Sequence, residues 1–192
     1  DKIVSKKIFK KNKISSPKYF SISSLNYSPS LIKKNIKNLK MHFPIIVKPS
    51  DEGSSIGVRI CKNFKILKKI SKDLLKDYDS LIVERFVGGQ EIQVAVMNGK
   101  ALGAIELKPK RKFYDYKAKY SASAKTKHII PVNINHRNFD KINSIAMKAH
   151  KLLKCRGVSR SDFRFYNNKF YLLELNTQPG MTSLSLVPEI AN

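Results

Sequence analysis

The sequence predicts an α+β fold, in which helices and strands follow one another without a strict βαβ rhythm. Apolar residues recur with a helical period in some segments and form short runs typical of strands in others. The Asn98-Gly99 pair between two apolar runs is the strongest hairpin signal in the chain. With 192 residues, 42% of them hydrophobic, the chain can bury a substantial core.

The first half of the chain predicts three helices and four strands. Helical spacing of apolar residues predicts helices within 1–13, 31–40 and 62–76. Compact apolar runs predict strands near 19–22 and at 45–47, 58–60 and 81–83. Around the first of these strands, residues 14–30 are rich in Ser, Pro and Asn and are predicted to be irregular.

The second half predicts two hairpins separated by a long loop and a helix. Strands at 92–96 and 101–107 flank Asn98-Gly99, and strands at 159–166 and 170–176 flank Asn167-Asn168. Apolar residues with helical spacing predict a helix over 142–153. The segment 108–128 is polar, basic and rich in Tyr, which predicts a long loop, and the chain after Gly180 is also predicted to be loop-like.

Several classes of protein are excluded or disfavoured by composition. No run of about eighteen apolar residues is present, which excludes a membrane-spanning helix. The first part of the chain is basic but lacks the apolar segment of an export signal. Cys61 and Cys155 do not have the spacing of a zinc site or a disulfide framework, so two free thiols in a cytoplasmic protein are expected.

The net charge of +24 raises the question of a nucleic-acid partner, because cationic residues gain free energy by releasing counterions from a phosphate backbone. The lysines, however, are scattered over nearly every segment, and no RNA-binding aromatic motif or zinc-finger spacing is present. We therefore expect a lysine-rich surface that attracts anionic ligands, and we do not expect nucleic acid to be the partner.

The first set of residues that suits chemistry is a strand that ends at Lys48 and is followed by a Gly/Ser loop over 51–57. Glycines and small hydroxyl residues can turn several backbone N–H groups toward one point, which suits a phosphate. The loop runs into a strand rather than a helix and lacks a Gly-Lys-Ser/Thr sequence, so it is not a Walker loop. Taken alone, the pattern also fits an ordinary turn.

The second set is two polar pairs on neighbouring strands, Arg160 with Asp162 and Glu174 with Asn176. Residues two apart on a strand share a face. A two-residue turn at Asn167-Asn168 would place Asp162 opposite a leucine, whereas a three-residue loop over 167–169 would place it opposite Glu174. We predict the three-residue loop, which gathers two carboxylates and an amide oxygen as a magnesium site. Without further context, surface polar positions on a hairpin remain the alternative.

The third set is the basic, aromatic loop over 113–120, FYDYKAKY. Such a loop fits a nucleic-acid contact, a mobile lid or a solvated connection, and the residues alone favour the last.

Taken in order, these motifs resemble the D-alanine–D-alanine ligase family. The resemblance is carried by IIVKPSDEGSSIGV, IVERFVGGQEI, FYDYKAKY, GVSRSDF and, most diagnostic, LELNTQPGMTSLSLVP, and it extends over nearly the whole chain. It implies an ATP-grasp fold with two α+β lobes that enclose ATP. We expect the smaller lobe at residues 1–83 and the larger C-terminal lobe, with the metal and D-alanine sites, at 84–192.

The resemblance also implies roles for particular residues. ATP-binding residues are expected in both lobes: Lys6, Lys48, Ser54, Ser55, Glu84, Arg85, Phe86, Val87, Glu91 and Lys119. The expected metal ligands, for two Mg²⁺ or Mn²⁺ ions, are Asp162, Glu174 and Asn176. Arg160 and the backbone at Gly180 resemble the pair that stabilises the tetrahedral transition state, and Ser185 and Leu186 match positions that hold the second D-alanine.

The reaction implied is ATP-dependent joining of two D-alanine molecules through an acyl phosphate, in the cytoplasm, for peptidoglycan precursors, cell-wall biogenesis and cell shape. Catalytic contributions are also expected from Lys119, Tyr120 and Ser54. In the family, Tyr at position 120 goes with D-alanine rather than D-lactate as second substrate, because the phenol can hydrogen-bond to the Ser54 loop.

The sequence departs from the family in its extent. The family has a further N-terminal domain that contributes to the first D-alanine site, and this chain begins at Asp1. We therefore expect a piece of a longer enzyme, which can be a homodimer. An inactive ATP-binding remnant and a basic nucleic-acid-binding protein are the alternatives.

Overall fold

The computed structural model describes residues 1–53, 55–108 and 126–192, and these form two compact units. The first unit contains residues 1–3 and 17–86, and the second contains 4–16, 87–108 and 126–192. The units divide between Phe86 and Val87, three residues beyond the expected lobe boundary, and residues 4–16 belong to the second unit rather than the first. The assignment of these units to functional lobes stays a prediction.

The first unit is a four-stranded antiparallel sheet with two helices. The helix α1 (Lys2–Lys11) is divided between the two units. In chain order, the other elements of the first unit are β1 (Tyr19–Ser23), a 3-10 helix (Ser24–Asn26), α2 (Pro29–Asn38), β2 (Ile45–Pro49), β3 (Arg59–Cys61), α3 (Phe64–Leu74) and β4 (Ser80–Arg85). The strands follow the order β1-β4-β2-β3 in the sheet. Ser28 and Asn63 cap the two α-helices by accepting hydrogen bonds from backbone N–H groups three residues later. Alternate apolar residues of the strands form the core with these helices.

Among its described residues, the second unit contains a five-stranded antiparallel sheet and three helices. Its elements are the rest of α1, from residue 4 onward, β5 (Gln90–Met97), β6 (Lys100–Lys108), β7 (Lys127–Ile129), α4 (His136–Leu152), β8 (Val158–Tyr166), β9 (Lys169–Asn176) and α5 (Leu186–Ala191). The strands follow the order β7-β6-β5-β8-β9 in the sheet. The helix α4 covers one face, where its apolar residues pack with Ile92, Val94 and Phe163. On the same face, Ser159 Oγ of β8 lies 2.7 Å from His150 Nδ1 of α4.

The two hairpin turns of this sheet each consist of two residues with positive φ. Asn98 and Gly99 have φ of 50° and 77°, and Asn167 and Asn168 have 48° and 55°. Two successive left-handed residues are the geometry that matches the twist of paired strands, and Asn and Gly adopt it at low cost. The Asn98-Gly99 hairpin is therefore confirmed.

Two elements lie where the sequence predicted loops. β7 occupies part of the predicted loop 108–128 and forms by pairing with β6, a long-range contact that local pattern does not reveal. The helix α5 follows Gly180, and its short length and internal Pro188 conceal any helical period. Proline is tolerated there because it lies in the first turn of the helix. Across the described ranges, no helix is long and apolar enough to span a membrane.

Candidate active site

A polar row crosses three strands of the second sheet on the face opposite α4. Gln93 of β5 is in register with Asp162 of β8, and Asp162 is in register with Glu174 of β9. A second row beside it joins Ala95, Arg160 and Asn176. Residues in register on antiparallel strands place their side chains on one face, so the two carboxylates and the amide expected to bind a cation share a face with Arg160.

This register does not arise in the way the sequence predicted. The turn has two residues, since Tyr166 pairs with Lys169, and the three-residue loop was wrong. Phe163 pairs with Leu172, but Asp162 pairs with Glu174, so Leu173 is an extra residue in β9. A bulge of this kind shifts the pairing by one residue and re-aims the side chains beyond it. The predicted juxtaposition of Asp162 and Glu174 is therefore confirmed, with the bulge at Leu173 as its cause.

Arg160 and Asp162 form a bidentate ion pair along one strand. Arg160 Nε donates to Asp162 Oδ1 at 2.8 Å, and its Nη2 donates to Oδ2 at 3.1 Å. Asp162 is only 5% exposed. The guanidinium compensates the buried carboxylate and fixes its plane, since a forked pair holds both oxygens. Each carboxylate oxygen retains a lone pair for a second partner.

A second ion pair lies at the end of the same face, between Glu91 of β5 and Arg164 of β8. Arg164 Nη2 lies 2.6 Å from Glu91 Oε2, and both side chains are largely buried. Arg164 Nη1 also donates to the backbone carbonyl of Gly89 at 3.2 Å. Glu91, expected to hold the ribose, is thus fixed in position by a partner that the sequence interpretation did not include.

The described residues fit a hard divalent cation at this face. Asp162, Glu174 and Asn176 supply carboxylate and amide oxygens, the ligands that Mg²⁺ prefers. Within the described ranges no group of three His, Cys, Asp or Glu side chains could hold a metal, so the amide is needed to complete a three-residue set. The Nδ2 atom of Asn176 is buried without a hydrogen-bond partner in the described structure. This donor cannot bind the cation itself, but it suits an acceptor such as a phosphate oxygen of a ligand bound with the cation.

Lys48 and Glu84 form a buried ion pair in the first unit. Lys48 Nζ lies 2.7 Å from Glu84 Oε1, and the two side chains are 8% and 2% exposed. They lie on the face of β2 and β4 opposite the apolar core, because Val47 and Val83 face that core. The pair holds an ammonium at the end of β2, next to Pro49 and the Gly/Ser loop.

Other described residues expected to bind the nucleotide lie on α1, in the Gly/Ser loop and directly after β4. Lys6 is 1% exposed on α1. Ser55 and Gly57 have φ of 62° and 69°, and a Cβ at Gly57 would lie 2.7 Å from the Pro49 ring, so the loop turns tightly over the end of β2. Phe86 and Val87 directly follow β4. Ser54, Lys119 and Tyr120 lie outside the described residues.

Gly180 and Ser185 meet in the turn before α5. A Cβ at Gly180 would lie 2.7 Å from Ser185 Oγ. Ser185 Oγ also accepts from the Thr182 backbone N–H at 3.1 Å and contacts Thr182 Oγ1 at 2.9 Å. Leu186 begins α5 and is buried. The structure therefore brings the expected oxyanion-binding backbone and one expected D-alanine residue together.

Arg164 and Gln93 are the residues of this face that the sequence interpretation missed. The sequence does contain a signal for both, because residues two apart on a strand share a face. Gln93 lies two residues after Glu91, and Arg164 lies two residues after Asp162.

The fold of this chain, with its two antiparallel sheets, is similar to that of solved D-alanine–D-alanine ligases. The solved structure of D-alanine–D-alanine ligase from Bacillus anthracis superimposes with a TM-score of 0.84 at 29% identity, covering 100% of this chain and 60% of that one. The fold is thus the α+β fold of the ATP-grasp ligases.

The family follows from sequence comparison. The profile described as D-ala D-ala ligase C-terminus matches residues 8–192, so the chain belongs to this family. It is 59% identical over 191 residues to the D-alanine–D-alanine ligase of Pelagibacter ubique, covering 100% of this chain and 62% of that protein. It is 40% identical over 193 residues to that of Wolbachia pipientis wMel, covering 100% and 59%. The chain therefore spans about three fifths of the relatives that it matches.

Proposed function

We propose that this chain forms the ATP-binding and catalytic part of an enzyme that joins two D-alanine molecules to D-alanyl-D-alanine. The observation that carries the proposal is the row of Asp162 and Glu174, with Asn176 beside it, on one polar face. Family membership and the relatives' names support the same activity.

The proposed reaction has two steps. A carboxylate oxygen of the first D-alanine attacks the γ-phosphorus of ATP, and the bond to the ADP oxygen breaks. The amine of the second D-alanine then attacks the acyl carbon, loses a proton and expels inorganic phosphate as the C–N bond forms. Both steps develop negative charge on oxygen, so fixed donors and cations supply most of the rate.

Each part of the described structure has a role in this proposal. Asp162, Glu174 and Asn176 hold Mg²⁺ or Mn²⁺, which neutralises charge on the triphosphate when bound. Arg160, with the backbone N–H at Gly180, stabilises the oxyanion of the tetrahedral intermediate. The ordered turn at Ser185 and the buried Leu186 hold the second D-alanine.

For the nucleotide, Glu91 binds the ribose, and its pair with Arg164 supports this role by fixing the carboxylate. Lys6 and Lys48 contact phosphates, and the backbone over 84–87 binds the adenine. Ser54, Ser55 and Lys119 complete the phosphate site, and Tyr120 favours D-alanine over D-lactate; of these only Ser55 is among the described residues.

The product would serve peptidoglycan precursor synthesis in the cytoplasm, and hence cell-wall biogenesis and cell shape. A homodimer of the full-length enzyme is part of the same proposal. No nucleic-acid partner is required.

The test is release of phosphate from ATP by the intact protein that carries this chain. We expect release that depends on both D-alanine and Mg²⁺, with D-alanyl-D-alanine formed in equal amount. L-alanine should give no product, and D-lactate should give less than D-alanine. ATP binding without product in the intact protein would instead identify an inactive remnant. Salt-sensitive RNA binding with no response to ATP would identify a nucleic-acid-binding protein.

A further inference from the structure

Gln93 is a buried amide in the middle of β5 with neither of its polar atoms satisfied. Its side chain is 1% exposed, and both Nε2 and Oε1 lack a hydrogen-bond partner in the described structure. A buried donor or acceptor without a partner destabilises the folded protein, because it has given up its hydrogen bonds to water. A Met or Leu side chain would fill a similar volume without leaving a polar group unpaired, so packing alone does not explain an amide at this position.

The register places Gln93 beside the proposed cation ligands. It pairs with Asp162 on one side and with Ile105 on the other, so the row reads Gln93, Asp162, Glu174 across three strands. Residues in this position have Cβ atoms about 4.5–5.5 Å apart. One step along the same face, Glu91 and its register partner Arg164 are in direct contact at 2.6 Å, so side chains here do reach across the strands.

The chemistry of a free amide narrows what it can bind. Its Nε2 donates and its Oε1 accepts, so a suitable ligand offers both kinds of group. The cation's water ligands are donors, and phosphate oxygens are acceptors, so a hydrated metal–triphosphate offers both. A cation alone would use only the oxygen, and a phosphate alone only the N–H₂.

We propose that Gln93 is a further binding residue of this site, whose amide hydrogen-bonds a metal-bound triphosphate beside Asp162. Nε2 donates to a phosphate oxygen, and Oε1 accepts from a water molecule on the cation. The inference rests on the proposed function, because it requires that the Asp162 face binds the nucleotide with its metal.

The structure provides a matched control on the opposite face of the sheet. Ser161 is adjacent to Asp162, is fully buried, and has an Oγ without a partner in the described structure. Its neighbours Ser159 and Phe163 contact the α4 side. Ser161→Ala therefore also removes a buried, unsatisfied polar group, but away from the proposed site.

The experiment compares Gln93→Met, Gln93→Leu and Ser161→Ala with the unaltered intact protein. Thermal unfolding is measured without ligand and with Mg²⁺ and a non-hydrolysable ATP analogue, and affinity for the analogue is measured by calorimetry. We expect both Gln93 variants to unfold at the same or a higher temperature without ligand. Their affinity for the metal–nucleotide should fall about 10-fold or more, because hydrogen bonds to charged groups are lost. Ser161→Ala should leave affinity unchanged.

Each outcome separates the inference from the function on which it rests. If the unaltered protein binds the metal–nucleotide and both Gln93 variants bind equally well, the inference is wrong and the proposed function stands. If the unaltered protein does not bind the metal–nucleotide, both the inference and the proposed function are wrong. A lower unfolding temperature without ligand for both Gln93 variants, at undiminished affinity, would mean that the amide has only a structural role.

Discussion

Arg160 holds both carboxylate oxygens of Asp162 from a position two residues away on the same strand. The forked pair fixes the plane of the carboxylate, and Glu174 is the register partner of Asp162 on β9. Arg160 therefore has two proposed roles: it orients a cation ligand, and it stabilises an oxyanion. Substitution of Arg160 tests these roles, and substitution of Arg164 on the same face serves as the control.

We expect Arg160→Ala to lower the turnover number about 100- to 1000-fold, as for loss of one oxyanion donor. Arg164→Ala is the matched control, since it removes a guanidinium from the same face. Because Arg164 contacts Glu91, its loss should raise KM for ATP with a smaller effect on turnover. Steady-state kinetics with ATP and D-alanine varied separately measure both. An unaltered turnover number in Arg160→Ala would remove Arg160 from its proposed role.

Gly89→Ala is expected to destabilise the protein by about 2–5 kcal/mol. Gly89 has φ of 83°, and a Cβ there would collide with the backbone oxygen of Phe165, which cannot move without disrupting β8. Gly99→Ala is the control: its φ is 77°, but a Cβ would meet nothing within 4 Å. This control should cost only about 1–2 kcal/mol, for backbone strain alone. Denaturant unfolding measures both, and similar losses would contradict the account.

Lys48→Met should destabilise the protein by about 3–5 kcal/mol, because it removes the ammonium that compensates a buried carboxylate. Adding Glu84→Gln in the same chain should restore most of this loss, since no uncompensated charge remains. Nucleotide affinity should stay low in the double variant if Lys48 contacts phosphate. Recovery of both stability and affinity would restrict Lys48 to a structural role.

Alkaline pH should destabilise the protein through Cys61. Burial in the first core raises the pKa of this thiol from 9.0 to about 11. The unfolded thiol ionises above pH 9 while the folded one stays neutral, so stability present below pH 9 is lost as the pH rises to 11. The loss is about 2–3 kcal/mol. Cys61→Ala should show a correspondingly shallower decline of unfolding free energy between pH 9 and 11; identical slopes would exclude this cause.

The hairpins and the polar face could be predicted because their signals are local. The Asn98-Gly99 pair by itself predicts a hairpin turn. Residues two apart on a strand, such as Arg160 and Asp162, share a face whatever their surroundings. The juxtaposition of Asp162 with Glu174 was also predicted, but from a loop length that is wrong. No pattern in the sequence marks Leu173 as the residue that bulges, because bulges depend on pairing with the neighbouring strand.

The elements that were missed depend on contacts distant in sequence. β7 exists through its pairing with β6, and α5 packs Ile190 over Gly103 of β6. Gln93 shares a face with Glu91 by the two-residue period of a strand, but a single polar residue within the apolar run IQVAV does not by itself indicate a site. Its position beside Asp162 becomes visible only once β5 and β8 are in register.

The central claim, that the Asp162 face holds a divalent cation with the nucleotide, is tested most directly by Mn²⁺ binding. Paramagnetic resonance of free Mn²⁺, titrated in the presence of a non-hydrolysable ATP analogue, counts the bound ions. Asp140→Asn, an exposed carboxylate on α4, is the control. We expect Asp162→Asn to weaken Mn²⁺ binding at least about 10-fold, from loss of one charged ligand, and Asp140→Asn to bind as the unaltered protein does. Equal Mn²⁺ affinity in Asp162→Asn and the unaltered protein would contradict the account.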